Sequence, residues 1–441
     1  MKVKSKKEFA FLLLIFMSLT LISCEQLSTK SSKTKLKIKL GAEVFLDEYL
    51  PLVEGKNVGL VTNPSAVDQE LNPIVNVFYH HPAIKLVALY GPEHGVRGNA
   101  QAGEYVPFYF DQKYELPVFS LYGPSRHPSA QMLSDIDSIM RSFDTIEEGK
   151  TIQLDQIQNV EVLIFDIQDI GTRVYTYIAT MAYCLEACAE AGIKFIVLDR
   201  PNPINGVMME GPLLDYPQFS SFVGLYPLPL RHGMTVGELA LYFNDNFLEK
   251  KADLQVIPLK GWSREIWFDE TSLPWVMPSP NMPTLDTATV YPGQVFLEGT
   301  NISEGRGTTR PFELFGAPWI DGYELANRLN SLHLPGVKFR EAWFTPTFSK
   351  YKGELCGGCQ IHVVDRNSYR PLATSLWIIN TVKEMYPGKF SFYSEYFDKI
   401  MGTERVRLAL EDGQPSLPEL IASFEQEVAR FAAKRRPYLL Y

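Results

Sequence analysis

The sequence predicts an α/β protein, with a Rossmann-like parallel-sheet domain over residues 41–263, a smaller α+β domain over 264–441, and a cleft between the two. Three observations carry this. From about Asn57 to Trp262, short β-branched runs alternate with longer amphipathic segments, the pattern of βα units feeding a parallel sheet. Each run is nearly all apolar, as a strand covered on both faces must be. After Trp262 the rhythm changes: Pro274 to Pro292 is rich in proline and turn residues, and mixed strand and helix patterns follow to the end.

The strand candidates in order are Val58–Thr62, Lys85–Leu89, Pro117–Leu121, Val162–Asp166 and Phe195–Asp199. Between the last two, Thr172 to Ala191 has a helical period and stops at Gly192, a natural C-terminal cap. Thr235 is placed to cap a helix over Val236 to Leu248, and Pro418 to Arg435 reads as a packing helix. Open α/β sheets bind ligands beyond the carboxyl ends of their strands. Those ends read Asn63-Pro64, Glu93-His94, Tyr122-Gly123-Pro124, Asp166-Ile167-Gln168-Asp169 and Asp199-Arg200-Pro201-Asn202, five polar loops expected on one edge. No Gly-x-Gly-x-x-Gly or Gly-x-x-x-x-Gly-Lys occurs, so the winding carries no nucleotide fingerprint.

Residues 1–23 read as an export signal, with four lysines before an apolar run from Phe9 to Ile22 that is short for a membrane span. Leu21-Ile22-Ser23-Cys24 resembles a bacterial lipobox, which makes Cys24 the expected lipidated N-terminus and residues 24–40 a polar tether. The alternative is an uncleaved anchor or a chance cysteine, and either way the protein is expected to be held at the membrane surface of a bacterial cell envelope. Ser32-Lys33-Thr34-Lys35 matches the Ser-x-x-Lys of penicillin-binding enzymes but lacks the buried helix start that motif needs.

The first 39 residues carry nine lysines against two glutamates, a net +7 in a chain of −9, which leaves −16 on the rest. So acidic a body argues against nucleic acid or anionic lipid as the main ligand. An anionic substrate would have to be met by local arginines. The five cysteines make no disulfide scaffold. Cys184 and Cys188 read as buried helix thiols, while Cys356-Gly357-Gly358-Cys359 reads as a reversible disulfide or an inert turn, since His362 would complete only three metal ligands. His80-His81 reads as a surface helix end. With no His-Glu-x-x-His and no Gly-x-Ser-x-Gly, neither a metal site nor a serine nucleophile is indicated, and no cofactor is expected.

Two concentrations of chemistry remain. Glu93 follows a buried strand, where partial desolvation favours the protonated form a general acid needs, and His94 beside it can orient it. The run Phe296 to Glu313 packs Glu298, Glu304, Glu313, Arg306 and Arg310 among Gly299, Gly305 and Gly307. Glycines let backbone approach a ligand, and arginine holds a carboxylate through two parallel hydrogen bonds. Asp166 and Asp169 are candidate acids or hydroxyl ligands, with helix capping as the plain alternative. Arg173 is double-edged in the same way, and Arg231 and His232 are expected to face the cleft.

Leu60-Val61-Thr62-Asn63-Pro64, Tyr90 to Gly95, Asp166 to Arg173, Asp199 to Pro203 and Glu298-Gly299-Thr300-Asn301 together resemble the NamZ-like exo-β-N-acetylmuramidases, over roughly residue 57 to the C-terminus. The resemblance implies metal-free release of terminal N-acetylmuramic acid from peptidoglycan fragments, in a cleft between a Rossmann-like and a smaller domain. Catalytic candidates are then Glu93, His94, Glu298 and Glu304. Expected substrate contacts are Asn63, Arg97, Asp166, Asp169, Arg173, Asp199, Asn202, Arg231, His232, Asn301, Arg306 and Arg310. The lactyl carboxylate of that sugar suits the arginines Arg97, Arg173, Arg306 and Arg310, and Tyr90, Tyr122, Tyr175 and Trp319 are candidate stacking platforms. Rival readings are a muropeptide-binding lipoprotein without activity, and an amidase or esterase acting on the lactyl-peptide branch.

Overall fold

The computed structural model describes residues 35–123, 129–136 and 159–441, and it places all five apolar runs in strands. The strands of the first sheet are β1 (Asn57–Thr62), β2 (Lys85–Gly91), β3 (Tyr109–Asp111), β4 (Leu116–Ser120), β5 (Val162–Asp166), β6 (Lys194–Leu198) and β7 (Leu254–Ile257). The two not anticipated, β3 and β7, are edge strands too short to show a period. Pairing runs β3-β4-β2-β1-β5-β6-β7, parallel except for β3 against β4. From central β1 the chain winds through β2 and β4 to one side, then through β5, β6 and β7 to the other. The winding reverses between β1 and β5, and loops at such a point diverge beyond the carboxyl ends of the strands.

Helix α1 (Ile74–His80) ends in exposed His80, and His81, which follows it, is half-buried. Helix α2 (Tyr177–Ala191) stops at Gly192 in the left-handed conformation, as expected, but starts five residues later than its period suggests. The cause is local: Thr172 forms a β-bridge with Arg231, and the Arg173 amide donates to Leu230 O at 2.8 Å, so this segment is extended. Helix α3 (Val236–Asn246) opens with a capping box, in which the Thr235 hydroxyl accepts from the Glu238 amide and the Glu238 carboxylate accepts from the Thr235 amide. It stops two residues short of Leu248.

The second sheet is antiparallel, β8 (Leu314–Ala317), β9 (Val337–Phe344) and β10 (Cys356–Val363) in the order β8-β10-β9. In β9, buried Val337 and Phe339 alternate with exposed Lys338 and Arg340, as a half-covered strand requires. Around it lie α4 (Leu285–Gln294), α5 (Gly322–Ser331), α6 (Pro371–Met385), α7 (Ser394–Met401), α8 (Arg405–Asp412) and α9 (Leu417–Arg435). The proline-rich stretch is therefore partly helical. Thr284 caps α4, and Pro292 sits near its end; a Cβ on the next residue, Gly293, would lie 1.9 Å from Pro371 O, so glycine there lets α4 meet α6. Helix α9 buries Leu420, Phe424 and Phe431, a packing face.

Cys184 and Cys188 are buried free thiols in α2, while Cys356 and Cys359 are buried free thiols in β10 rather than a turn. Three positions apart on an extended strand they point to opposite faces, roughly 10 Å from each other, too far for a disulfide. At the start of the described chain, Ile38 and Leu40 are buried and Lys39 bridges to Lys260, so the end of the expected tether is packed, because two apolar side chains find a core. Cys24 and the signal segment lie outside the described residues. Among the described residues no helix is long and apolar enough to cross a membrane.

Candidate active site

A cavity of about 720 Å³ opens between the carboxyl-end loops of the parallel sheet and the loops of the antiparallel one. Its sheet-side wall begins at Glu93. His94 and Gly95, at φ 73° and 75°, reverse the chain after β2, and a Cβ on Gly91 would come within 2.8 Å of the Val96 amide. This turn aims the Glu93 carboxylate inward, where Oε2 accepts from the Thr176 hydroxyl at 2.7 Å and Oε1 from the Gly103 amide at 3.1 Å. Nδ1 of His94 is 2.8 Å from Ala100 O, which makes it the protonated ring nitrogen. Burial lowers the His94 pKa, against the raising effect of Glu93 beside it, so the ring is neutral near pH 7.

The opposite wall comes from the glycine-rich run. Gly305 and Gly307 take positive φ, and a Cβ on either would lie 2.5–2.6 Å from a backbone oxygen. Between them Arg306 donates to Glu298 Oε1 through Nη2 at 2.7 Å and lies 3.5 Å from Glu304, with its guanidinium 5.0 Å from the Phe312 ring centroid. Burial alone would lower the Arg306 pKa, but Glu298 and Glu304 outweigh it and hold the guanidinium above its ordinary value. Lys350 donates to Glu304 at 3.1 Å and to the carbonyls of Leu297 and Ile302. The Tyr396 hydroxyl donates to Glu298 Oε2 at 2.9 Å; burial and then Glu298 raise its pKa, so it stays a donor. Gly299 makes that contact possible, because a Cβ there would meet Phe397 Cα at 2.6 Å.

Of the expected catalytic and substrate-contacting residues, the cavity gathers Glu93, His94, Glu298, Glu304 and Arg306; the others lie elsewhere. Asn63 bridges Pro278 O and Ser65. Arg97 pairs with Asp111 at 3.0 Å beside a separate hollow. Asp166 is buried against Arg200, and Asp169 accepts from the Gly171 amide. Asp199 accepts from Thr235, the Gly237 amide and Tyr441, holding the start of α3. Asn202 donates to Met234 O. Arg231 and His232 do not face the cleft: they are 3% and 0% exposed, with Arg231 donating to Ile204 O and His232 accepting from the Met234 amide. Asn301 ties Lys389 O and the Ser391 amide together, and Arg310 pairs with Glu313.

Of the four arginines expected near an anionic sugar, then, only Arg306 lines the cavity. Arg173 is buried against four carbonyls, of Pro212, Leu228, Ile400 and Met401. Tyr122 and Tyr175 line the wall, whereas Tyr90 is core and Trp319 packs against Tyr386. Sequence reasoning missed Thr176, Lys350, Tyr396 and Lys399, all on the wall. Only the spacing of Tyr396 and Lys399, three apart on a helix, was a readable signal. No group of three or more metal-ligating side chains occurs among the described residues.

A doubly wound α/β sheet faces a small antiparallel sheet across a cleft with carboxylates on both walls, the setting of a hydrolase. The chain belongs to the exo-β-N-acetylmuramidase NamZ family: the model of its N-terminal domain matches residues 58–148 and 141–286, and that of its C-terminal domain matches 289–441. It is 48% identical over 439 residues, 99% of this chain and 100% of the relative, to the peptidoglycan β-N-acetylmuramidase NamZ of Bacillus subtilis strain 168. It is also similar to two crystal structures of DUF1343 family proteins from Bacteroides fragilis NCTC 9343. BF0371 has a TM-score of 0.80 and 35% identity over 92% of this chain and 100% of that one. BF0379 has a TM-score of 0.70 and 29% identity over 92% and 99%.

Proposed function

We propose that this protein is an exo-acting glycoside hydrolase that releases terminal N-acetylmuramic acid from peptidoglycan fragments. The observation that carries the reading is the opposition of Glu93 to Glu298 and Glu304 across one cavity, since glycoside cleavage needs carboxyl groups on both sides of the scissile bond. Their surroundings divide the roles. Glu298 and Glu304 rest against the cations Arg306 and Lys350, which orients them as base or as stabilisers of positive charge developing on the sugar. Among the described residues Glu93 makes no ion pair; a hydroxyl and an amide donate to its carboxylate and fix it on the facing wall, which is the place for the group that meets the leaving oxygen. His94, neutral and tied to Ala100, is a positioning residue for the Glu93 turn. Tyr122 and Tyr175 offer ring faces to the sugar.

Cys24 and the segments around it support lipid anchoring in the bacterial envelope, tested by radiolabelled palmitate incorporation into the wild type and into Cys24→Ala. For the reaction, Glu93→Gln keeps shape and loses the proton. Release of N-acetylmuramic acid from an N-acetylmuramyl-N-acetylglucosamine disaccharide, whose leaving oxygen needs the proton, should fall by about 10²- to 10⁴-fold with KM changed little. Free N-acetylmuramic acid must be the product of the wild type; a peptide or lactate product would identify an amidase or esterase instead.

A further inference from the structure

N-acetylmuramic acid differs from N-acetylglucosamine by a lactyl ether at O3 that ends in a carboxylate, so a site that prefers it needs a cation free to meet that group. Among the described residues the cavity wall carries three cationic side chains, Arg306, Lys350 and Lys399. Two are already neutralised within the wall: Arg306 by Glu298 and Glu304, and Lys350 by Glu304 together with two carbonyls. Two cations against two carboxylates leave that wall locally balanced. Arg306 and Lys350 therefore serve the protein's own acids, and drawing either away would strip Glu298 or Glu304 of its partner.

Lys399 differs. It is exposed, and among the described residues no hydrogen bond or ion pair engages its ammonium. Its direction is nevertheless set by α7. Tyr396, Lys399 and Ile400, at i, i+3 and i+4, all line the cavity, so one face of α7 is turned to it. That face is held at both ends. Tyr396 bonds Glu298, Arg407 grips Asp398 through three contacts of 2.8–3.1 Å, and Arg173 takes the carbonyls of Ile400 and Met401. A hydrated ammonium on a flexible stem, mounted on a fixed helix, fits a carboxylate carried on a rotatable ether.

We propose that Lys399 binds the lactyl carboxylate of the substrate and sets the preference for N-acetylmuramic acid over sugars that lack it. The assignment rests on the reaction proposed above. It predicts that a free lactyl carboxylate is read as an anion, so substrates whose lactyl group is esterified or amidated lose this contact.

The test measures binding of N-acetylmuramic acid, its lactyl methyl ester and N-acetylglucosamine by calorimetry, and cleavage of 4-nitrophenyl β-N-acetylmuraminide, for wild type, Lys399→Met and Lys399→Arg. Lys399→Met should weaken N-acetylmuramic acid by about 10- to 100-fold, the worth of one charged hydrogen bond. The methyl ester and N-acetylglucosamine should be unaffected, and the cleavage loss should fall mainly in KM. Lys399→Arg should recover most of the affinity, and the thermal midpoint of both variants should match wild type, since among the described residues Lys399 makes no hydrogen bond or ion pair. Equal losses for all three ligands, or an unchanged preference for the free acid in Lys399→Met, would overturn the assignment. A wild type that releases no N-acetylmuramic acid would instead remove the reaction on which it rests.

Discussion

Arg173 donates through Nη2 to Met401 O at 2.5 Å and to Ile400 O at 3.2 Å, which places a buried guanidinium at the carboxyl end of the helix that carries Tyr396 and Lys399. Through Nη1 the same group bonds Pro212 O and Leu228 O. Burial lowers its pKa to about 10, with Asp215 and Glu427 opposing, so it remains a cation at neutral pH. It therefore satisfies carbonyls from both halves of the molecule and complements the negative end of α7.

Arg173→Lys keeps the charge but not the fork, and leaves at least two buried carbonyls without a donor. Loss of about 2–4 kcal/mol of stability is expected in urea unfolding. Because α7 also presents Tyr396 to Glu298, kcat on the chromogenic muramide should fall as well, in a residue that touches no substrate. A variant with wild-type stability would show that water or neighbouring donors replace the fork.

Arg306 is the hinge of the opposite wall. Arg306→Met leaves Glu298 and Glu304 sharing a buried site with Lys350 as the cation in contact with Glu304. A fall in kcat of about 10²-fold is expected, as for other preorganised charges. Stability should fall by about 3 kcal/mol, because the breakage of a buried pair strands its partner. Adding Glu304→Gln should restore part of the stability and none of the activity, a separation that denaturant melts and steady-state kinetics read independently.

How far these features were legible in the sequence follows from the distance between partners. The parallel strands announced themselves through unbroken apolar runs. Glu93 stood out because its turn is local, built from Gly91, Pro92 and Gly95. Arg306 was visible for the same reason, between two glycines. Lys350 was not, because the carboxylate it serves lies 46 residues away along the chain, and Tyr396 showed only its helical spacing to Lys399, since its partner Glu298 lies 98 residues away.

The strand-end acids were the ambiguous group. Asp166 and Asp199 end adjacent buried strands and read equally as ligands or as caps. Packing decided it: Arg200 closes over Asp166, and the start of α3 closes over Asp199. Arg231 misled for a related reason. A charged side chain beside a glycine and a helix start suggests a cleft, yet a bridge to Thr172 and contact with the Trp267 ring draw it inside.

Asp199 itself yields a pH-dependent prediction. It is fully buried, and burial, followed by the charge of Glu238, raises its pKa to about 7 despite hydrogen bonds from Thr235, Gly237 and Tyr441. In the unfolded chain an aspartate titrates near 3.9. Between these values the folded state holds the proton more tightly than the unfolded state, so stability declines as pH rises from about 4 and levels off above about 7. Asp199→Asn keeps an acceptor for the Gly237 amide and cannot ionise. The stability of wild type relative to this variant should therefore drop by about 2–4 kcal/mol between pH 4.5 and 8, measured by urea unfolding at each pH. Glu238, whose pKa burial also raises against the opposing pull of Arg264, is present in both proteins, so most of its own titration cancels in the difference. Parallel curves with a constant offset would mean that Asp199 keeps one protonation state throughout, and that the cap on α3, with the C-terminal Tyr441 hydroxyl bonded to it, does not respond to pH.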